Sequence, residues 1–309
     1  MKKPLARGAF FWELFQILKT SIKTMKCITL KSMVLPYLLL VLAMISIQFG
    51  ASFAKGLFPI TGAAGMSLVR LGFASLILCL LTRPWRYQLQ KNHFKSLLLY
   101  GFSLGAMNLS FYLALNRIPL GIAVALEFVG PLAVAIFGSR SRMDFLWVLL
   151  AALGIYLILP ATNVNTSVDY LGVFFALLAG LFWGLYIIFG KKAGEHIPAQ
   201  FAAAWGMLFA FVIVVPFGLI IDGPNLARTD IILPGLGVAL FSSALPYSLE
   251  MFSLKRIPEK TFGILMSVEP ALASLAGLMV LNEALSLIQW LAIGCIMFAS
   301  FGSAFTHSK

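Results

Sequence analysis

Long apolar stretches, each able to cross a membrane and separated by a few residues, leave this chain few folds to choose from. A helix needs about 20 apolar residues to span the hydrocarbon core. Such stretches recur at 34–57, 62–82, 94–115, 118–138, 144–160, 169–190, 198–221, 231–254, 258–281 and 286–306. They take up most of the 309 residues, so little remains for a domain outside the bilayer. Hydrophobic residues make up 61% of the chain and charged ones 11%, against roughly 25% charged in soluble proteins. A water-soluble fold cannot hide that much apolar surface, and disorder requires low hydrophobicity. The runs are continuous and rich in Leu, Ala and Gly, unlike the alternating strands of a barrel. The expected fold class is an all-α membrane protein with ten transmembrane helices.

The net charge of +12 has a topological explanation. With the N-terminus in the cytoplasm, nineteen of the 23 Lys and Arg fall on that side. They are Lys2, Lys3, Arg7, Lys19, Lys23, Lys26 and Lys31 in the tail, then Arg83, Arg86, Lys91, Lys95, Arg140, Arg142, Lys191, Lys192, Lys255, Arg256, Lys260 and Lys309. The opposite side holds Arg117 and Arg228, while Lys55 and Arg70 fall within spans. The positive-inside rule then places both termini inside and requires an even number of spans. No nucleic-acid partner is needed to account for the charge. Lys55, at the outer end of the first span, is expected to snorkel to the interface.

Residues 1–33 form a basic tail with Phe10, Phe11, Leu14, Phe15, Leu18, Ile22 and Met25 at helical spacing. They read either as an amphipathic helix on an anionic membrane face or as a solvated tail. Ser52-Phe53-Ala54 loosely matches a signal-peptidase site, but the run is long enough to span, so an uncleaved first helix is expected. Cys27, Cys79 and Cys295 have no metal or disulfide spacing and read as packing residues. Trp12, Trp85, Trp147 and Trp290 read as interfacial anchors.

The sequence also repeats itself. Arg117-Ile118-Pro119 is followed twelve residues after its proline by Pro131, and Arg256-Ile257-Pro258 likewise by Pro270. The two patterns are 139 residues apart (119 to 258, 131 to 270). Gln48 to Lys55 and Gly184 to Lys191 give a weaker match between the first and sixth spans. The fourth and ninth spans thus correspond, which makes five helices per half, 34–160 and 169–306. An odd number inverts the second half relative to the first, an architecture common among secondary transporters.

No metal-binding His pair, phosphate loop or dinucleotide fingerprint is present, and His93, His196 and His307 lie in loops or the tail. Neither an enzyme nor a cofactor or metal is expected, and without a phosphate loop the driving force is expected to be a gradient. Ionisable residues inside spans carry the functional signal, since each costs roughly 2.5–3.5 kcal/mol at mid-membrane. They are Arg70, Glu127, Glu250 and Glu269. Fully ionised, three carboxylates against one guanidinium would leave a net negative site. Burial opposes that, so a proton, water or a cationic ligand group has to balance it.

Pro131 and Pro270 free the carbonyls of Glu127 and Met266 four residues earlier, placing acceptors beside acids. Pro246 and Glu250 repeat the spacing. Gly101, Gly105, Asn108 and Tyr112 share one face of the third span. Gly180 and Gly184 lie beside Trp183 and Tyr186 on the sixth, and Tyr247 precedes Glu250 by about one turn. Small residues let helices approach closely, and aromatics with a polar handle suit a small amphipathic solute. Each of these residues reads equally as helix packing.

Four segments carry a resemblance to a known family: Ser46-Ile-Gln48-Phe-Gly50-Ala-Ser-Phe-Ala-Lys55, Ile122-Ala-Val-Ala-Leu-Glu127-Phe-Val-Gly-Pro131, Ala244-Leu-Pro246-Tyr247-Ser-Leu-Glu250-Met and Thr261-Phe-Gly-Ile-Leu-Met-Ser267-Val-Glu269-Pro270. Over about residues 35–305 the chain resembles the EamA-type drug/metabolite transporters, and within them the threonine/homoserine exporters. The resemblance implies ten helices in two inverted halves, a bacterial inner membrane, and proton-driven export of small neutral amino acids. The basic tail departs from that family's pattern. A carrier for another small solute, including an importer, and a non-transporting membrane scaffold are the alternatives.

Overall fold

The computed structural model describes residues 29–306 apart from 88, 90, 138–142, 159–168, 196, 227 and 255. Residues 1–28 of the tail, with Trp12 and Cys27, lie outside the described residues, and 29–33 already belong to the first helix. Among the described residues every regular element is helical. The α-helices are α1 (Thr29–Thr61), α2 (Ala63–Thr82), α3 (Lys91–Leu115), α4 (Leu120–Glu127), α5 (Val129–Phe137), α6 (Asp144–Ile158), α7 (Tyr170–Gly194), α8 (Ala199–Leu226), α9 (Ile232–Ala239), α10 (Leu245–Leu254), α11 (Glu259–Met266), α12 (Glu269–Leu281) and α13 (Leu287–Thr306).

Seven stretches are long and apolar enough to cross a membrane: Val34–Thr61, Ala63–Thr82, His93–Leu115, Tyr170–Gly194, Gln200–Leu226, Thr261–Leu281 and Leu287–Thr306. Three apolar helices are shorter, Leu120–Val134, Phe145–Ile158 and Thr229–Ala244. Two of these lie in predicted spans that are not single rods. The stretch at 118–138 is interrupted at Phe128, between α4 and α5. The stretch at 231–254 is interrupted by a π-helical turn, Leu240–Ala244, between α9 and α10. The stretch at 258–281 also has a turn, at Ser267 and Val268 between α11 and α12. Each interruption lies within four residues of a proline at 131, 246 or 270, whose ring removes the backbone N–H and crowds the preceding turn.

The helix ends are held by groups from distant parts of the chain. Gly62 turns the chain between α1 and α2 at φ 71°, a conformation that suits glycine. Asp222, at the end of α8, then accepts the Gly65 N–H at 2.8 Å, placing a carboxylate at the positive end of α2. Asp169 begins α7, accepting the Leu171 N–H at 2.8 Å and pairing with Arg117 at 2.6 Å. Asn282 ends α12 in the left-handed region at φ 55°.

α3 lies along both α7 and α8, α2 along α8, and α6 along α13. Small residues set these close approaches. Gly218 of α8 faces Leu68 and the Ala64 carbonyl of α2, and Gly105 of α3 faces the Ala210 carbonyl of α8. Gly302 of α13 receives the Trp147 ring, whose indole N–H donates to Thr306 Oγ1 at 3.2 Å. Trp147 is therefore packed into a helix pair and is not a free interfacial anchor. Large apolar side chains such as Phe137, Ile220, Leu233 and Leu287 are exposed on the outside of the bundle. In water such a surface would be a liability; in lipid it is the expected one.

The approach of α7 to the α4–α5 junction is the tightest to test. A Cβ on Gly180 would sit 2.7 Å from the Glu127 carbonyl oxygen, whereas one on Gly237 would meet nothing within 4 Å. Gly180→Ala is expected to destabilise by about 1–3 kcal/mol through overpacking, while Gly237→Ala leaves stability unchanged or raises it slightly. Melting temperatures of the two variants in one detergent check this. Equal melting temperatures would contradict the proposed contact.

Candidate functional site

Arg70 lies midway along α2 and is 8% exposed. A guanidinium in that position must find acceptors inside the protein. Its Nε donates to Ser243 Oγ at 3.0 Å, one Nη to the Tyr112 hydroxyl at 3.2 Å, and the other to the Ser242 carbonyl at 2.9 Å. The guanidinium also stands 5.4 Å from the Tyr112 ring centroid, within cation–π range.

The Ser242 carbonyl is available because Pro246, four residues on, has no N–H to give it. The π-helical turn releases a second group. Leu245 N–H bonds the Leu240 carbonyl five residues back, and the next bond in that register would again require Pro246. The Phe241 carbonyl instead accepts from Ser46 Oγ of α1 at 2.6 Å. α1 reaches this point because residue 50 is glycine: a Cβ there would lie 2.8 Å from Ser242 Cβ.

Beside this junction lies a cavity of about 160 Å³, similar in size to the roughly 150 Å³ cavity that takes benzene. Seven of the residues singled out from sequence contribute to its wall: Arg70, Asn108, Glu127, Trp183, Tyr186, Glu250 and Glu269. They come from α2, α3, α4, α7, α10 and α12. Glu127 and Glu269 are 8% and 5% exposed. Phe128 packs edge-on to Trp183 at 5.0 Å, and Tyr100 stacks on Tyr186 at 5.0 Å, so both wall aromatics are braced from behind.

The other candidates occupy different places. Tyr112 is fully buried and supports Arg70. Pro131, Pro246 and Pro270 lie at the helix interruptions around the cavity. Tyr247 belongs to α10, and its side chain lies outside the described residues. Asn108 lines the cavity, yet its Nδ2 donates to the Leu104 carbonyl of its own helix at 2.8 Å. The Glu127 carbonyl freed by Pro131 does not stand open as an acceptor but is covered by Gly180 of α7.

Sequence reasoning passed over Gln48 and Ser242 as wall residues. Gln48 is 2% exposed and donates from Nε2 to Glu269 Oε1 at 2.8 Å. An amide in the middle of an apolar run was a readable signal for it. Ser242 was marked by the proline four residues later.

Lys55 does not snorkel. It pairs with Glu283 at 2.5 Å and donates to the Ile118 carbonyl at 2.8 Å. Glu283 also accepts the Leu120 N–H at 2.7 Å, capping the N-terminus of α4. Glu283 reaches this position because Asn282 turns the chain back at the end of α12. A partner inside the protein outcompetes the interface, since the ammonium and the helix terminus share one carboxylate.

The arrangement is that of a multi-pass helical membrane protein with a small charged cavity among its helices, the build of a solute carrier. The EamA-like transporter family matches residues 170–305. The chain is 51% identical over 276 residues to the threonine/homoserine exporter RhtA of Escherichia coli (strain K12), covering 89% of this chain and 93% of that one. It is 51% identical over 273 residues to the exporter of the same name from Salmonella typhimurium (strain LT2), covering 88% and 92%. The uncharacterized inner membrane transporter YedA of Escherichia coli (strain K12) is 25% identical over 192 residues, covering 60% and 61%. A solved crystal structure superposes with a TM-score of 0.55 at 14% identity, covering 87% of this chain and 96% of that chain, a likeness of fold.

The chain belongs to the EamA-like transporter family. It is a multi-pass transporter of the bacterial inner membrane.

The Lys55–Glu283 contact yields a prediction about the scaffold. Lys55→Ala and Glu283→Ala should each lower stability, and together by less than the sum, with a coupling of about 0.5–3 kcal/mol. A double-mutant cycle in reversible detergent unfolding measures it. Strict additivity would mean the pair does not form.

Proposed function

We propose that this protein is a secondary exporter that moves small neutral amino acids, threonine and homoserine among them, out of the cytoplasm in exchange for protons. The observation that carries the reading is the charge pattern of the cavity. One guanidinium and three carboxylates line a space the size of a small zwitterion, in a chain 51% identical to proteins named threonine/homoserine exporters. A zwitterion brings an ammonium for the carboxylates and a carboxylate for the guanidinium. The substrate enters from the cytoplasm past Glu250 and Tyr247. Its ammonium meets Glu127 or Glu269, and Arg70 holds its carboxylate. Asn108 is less suited to that task because it brings no charge and its amide donates to Leu104. A proton from outside then resets an acidic residue.

The carrier works as ten spans in two inverted halves, 34–160 and 169–306, with both termini inside. Supporting this, α4 and α11 each begin directly after the proline of an Arg-Ile-Pro and run for eight residues. They lie 139 residues apart (120 to 259, 127 to 266). The packing is reciprocal as well. α3 lies on α7 as the π-turn and α10 lie on α1, and α4–α5 lie on α7 as α12 lies on α1. Two such units rocking against each other give alternating access.

Proteoliposomes loaded with labelled threonine and given an imposed pH gradient test the cycle. Glu127→Gln and Glu269→Gln are each expected to cut gradient-driven threonine flux at least ten-fold. Flux at the wild-type level in both variants would remove these carboxylates from the coupling. Flux indifferent to the gradient in wild type would remove the proton.

A further inference from the structure

One corner of the cavity wall is chemically incomplete. Gln48 of α1 and Glu269 of α12 share one hydrogen bond, Nε2 to Oε1 at 2.8 Å. The remaining oxygens, Gln48 Oε1 and Glu269 Oε2, are buried and have no hydrogen-bond partner among the described residues. The two side chains are 2% and 5% exposed. A buried acceptor left unmade costs on the order of 1–3 kcal/mol, more when charged. Two of them on hydrogen-bonded side chains that line the cavity mark a place where a donor belongs.

We propose that Gln48 and Glu269 form the subsite for a primary ammonium, with Gln48 as a specificity-determining residue that orients the carboxylate and supplies a second acceptor. This rests on the amino-acid reading above and deepens it by choosing this corner over Glu127. The chemistry of the two oxygens decides what binds. With Glu269 ionised both positions are acceptors, so a carboxylate or phosphate ligand is repelled and a donor is required. A water can donate to both atoms, but it brings no charge to balance the surrounding acids. Glu127 on α4 and Glu250 on α10 also line the cavity, opposed by Arg70 on α2, with the Tyr186 phenol of α7 completing the polar wall. An –NH₃⁺ supplies three donors and a positive charge at once. Gln48 Nε2 holds Glu269 Oε1, so Oε2 is kept turned to its task without a second charge of either sign at the corner.

The test compares two ligands that differ at the amino group: L-threonine and its deaminated counterpart, 2,3-dihydroxybutanoate. Binding to the full-length protein in detergent is read by isothermal titration and thermal stabilisation. Wild type should prefer threonine by at least ten-fold. Gln48→Ala should lower threonine affinity about ten-fold, as expected for loss of a hydrogen bond to a charged group, while changing affinity for the dihydroxy acid by less than two-fold. A purely structural Gln48 would weaken both ligands equally, and that result overturns the subsite. If Gln48→Ala does not fold, Gln48→Leu in the same comparison carries the test. Ethanolamine against ethylene glycol separates the two readings. If wild type binds ethanolamine selectively through Gln48 but does not bind threonine, the ammonium subsite stands and the amino-acid reading falls. If it prefers neither amine, the subsite falls.

Discussion

Backbone hydrogen bonds that a proline removes inside an apolar bundle must be replaced by the protein, because hydrocarbon offers none. The junction at residues 240–246 shows how much follows from that one requirement. Pro246 releases the carbonyl of Ser242, and the π-helical turn before it releases that of Phe241. Arg70 takes the first and Ser46 the second. Two neighbouring helices are thereby bound to an interrupted one, and α1 can come close because residue 50 has no side chain. A charged side chain in the middle of α2 thus acts first as a backbone partner. Its burial is tolerable because the same event that exposes a carbonyl provides its acceptor.

The other interruptions follow a different route to the same end. At the α4–α5 junction the carbonyl released by Pro131 is covered by close approach of Gly180, with Gly130 opposing it on the other helix. Small-residue contacts of this kind let backbones pack against each other where lipid provides no hydrophobic drive. The α4 helix is only eight residues long and wholly buried, so its ends matter more than its length. Glu283, held by Lys55, supplies the cap at its start. Short broken helices, each anchored by a group from another part of the chain, surround the cavity and orient Glu127 and Glu269 towards it.

Much of this was legible from the sequence, and the parts that were not share a cause. Apolar run length pointed to the all-helical class, and seven of the ten runs correspond to helices long and apolar enough to cross a membrane; the intramembrane charges Arg70, Glu127, Glu250 and Glu269 identified four groups of one cavity wall. The prolines marked the interruptions, but a proline says which carbonyl loses its bond without saying which side chain or backbone will cover it. The Glu127 carbonyl that Pro131 frees is closed by Gly180, a residue the proline does not point to. Lys55 was assigned to the interface for a similar reason: its partner Glu283 lies 228 residues away in sequence (55 to 283), beyond the reach of local pattern. Gln48 was visible as an amide within an apolar run, but its significance depends on Glu269, which only the packing of α1 against α12 brings near.

The polar groups around the cavity divide by how fully the scaffold satisfies them. Arg70 has bonds to a serine hydroxyl, a serine carbonyl and a tyrosine, and Asn108 is bonded to its own helix. Lys55 and Glu283 satisfy each other and a helix terminus. Gln48 and Glu269 meet each other once and leave one oxygen apiece unmatched. In a medium where each unmatched polar atom is expensive, a group retained in that state is costly to the resting protein and is stabilised by whatever donor enters. On the proposed reading the ammonium of the cargo gains most from such unfinished contacts, whereas Arg70, already bonded to the scaffold, offers the cargo carboxylate chiefly its charge.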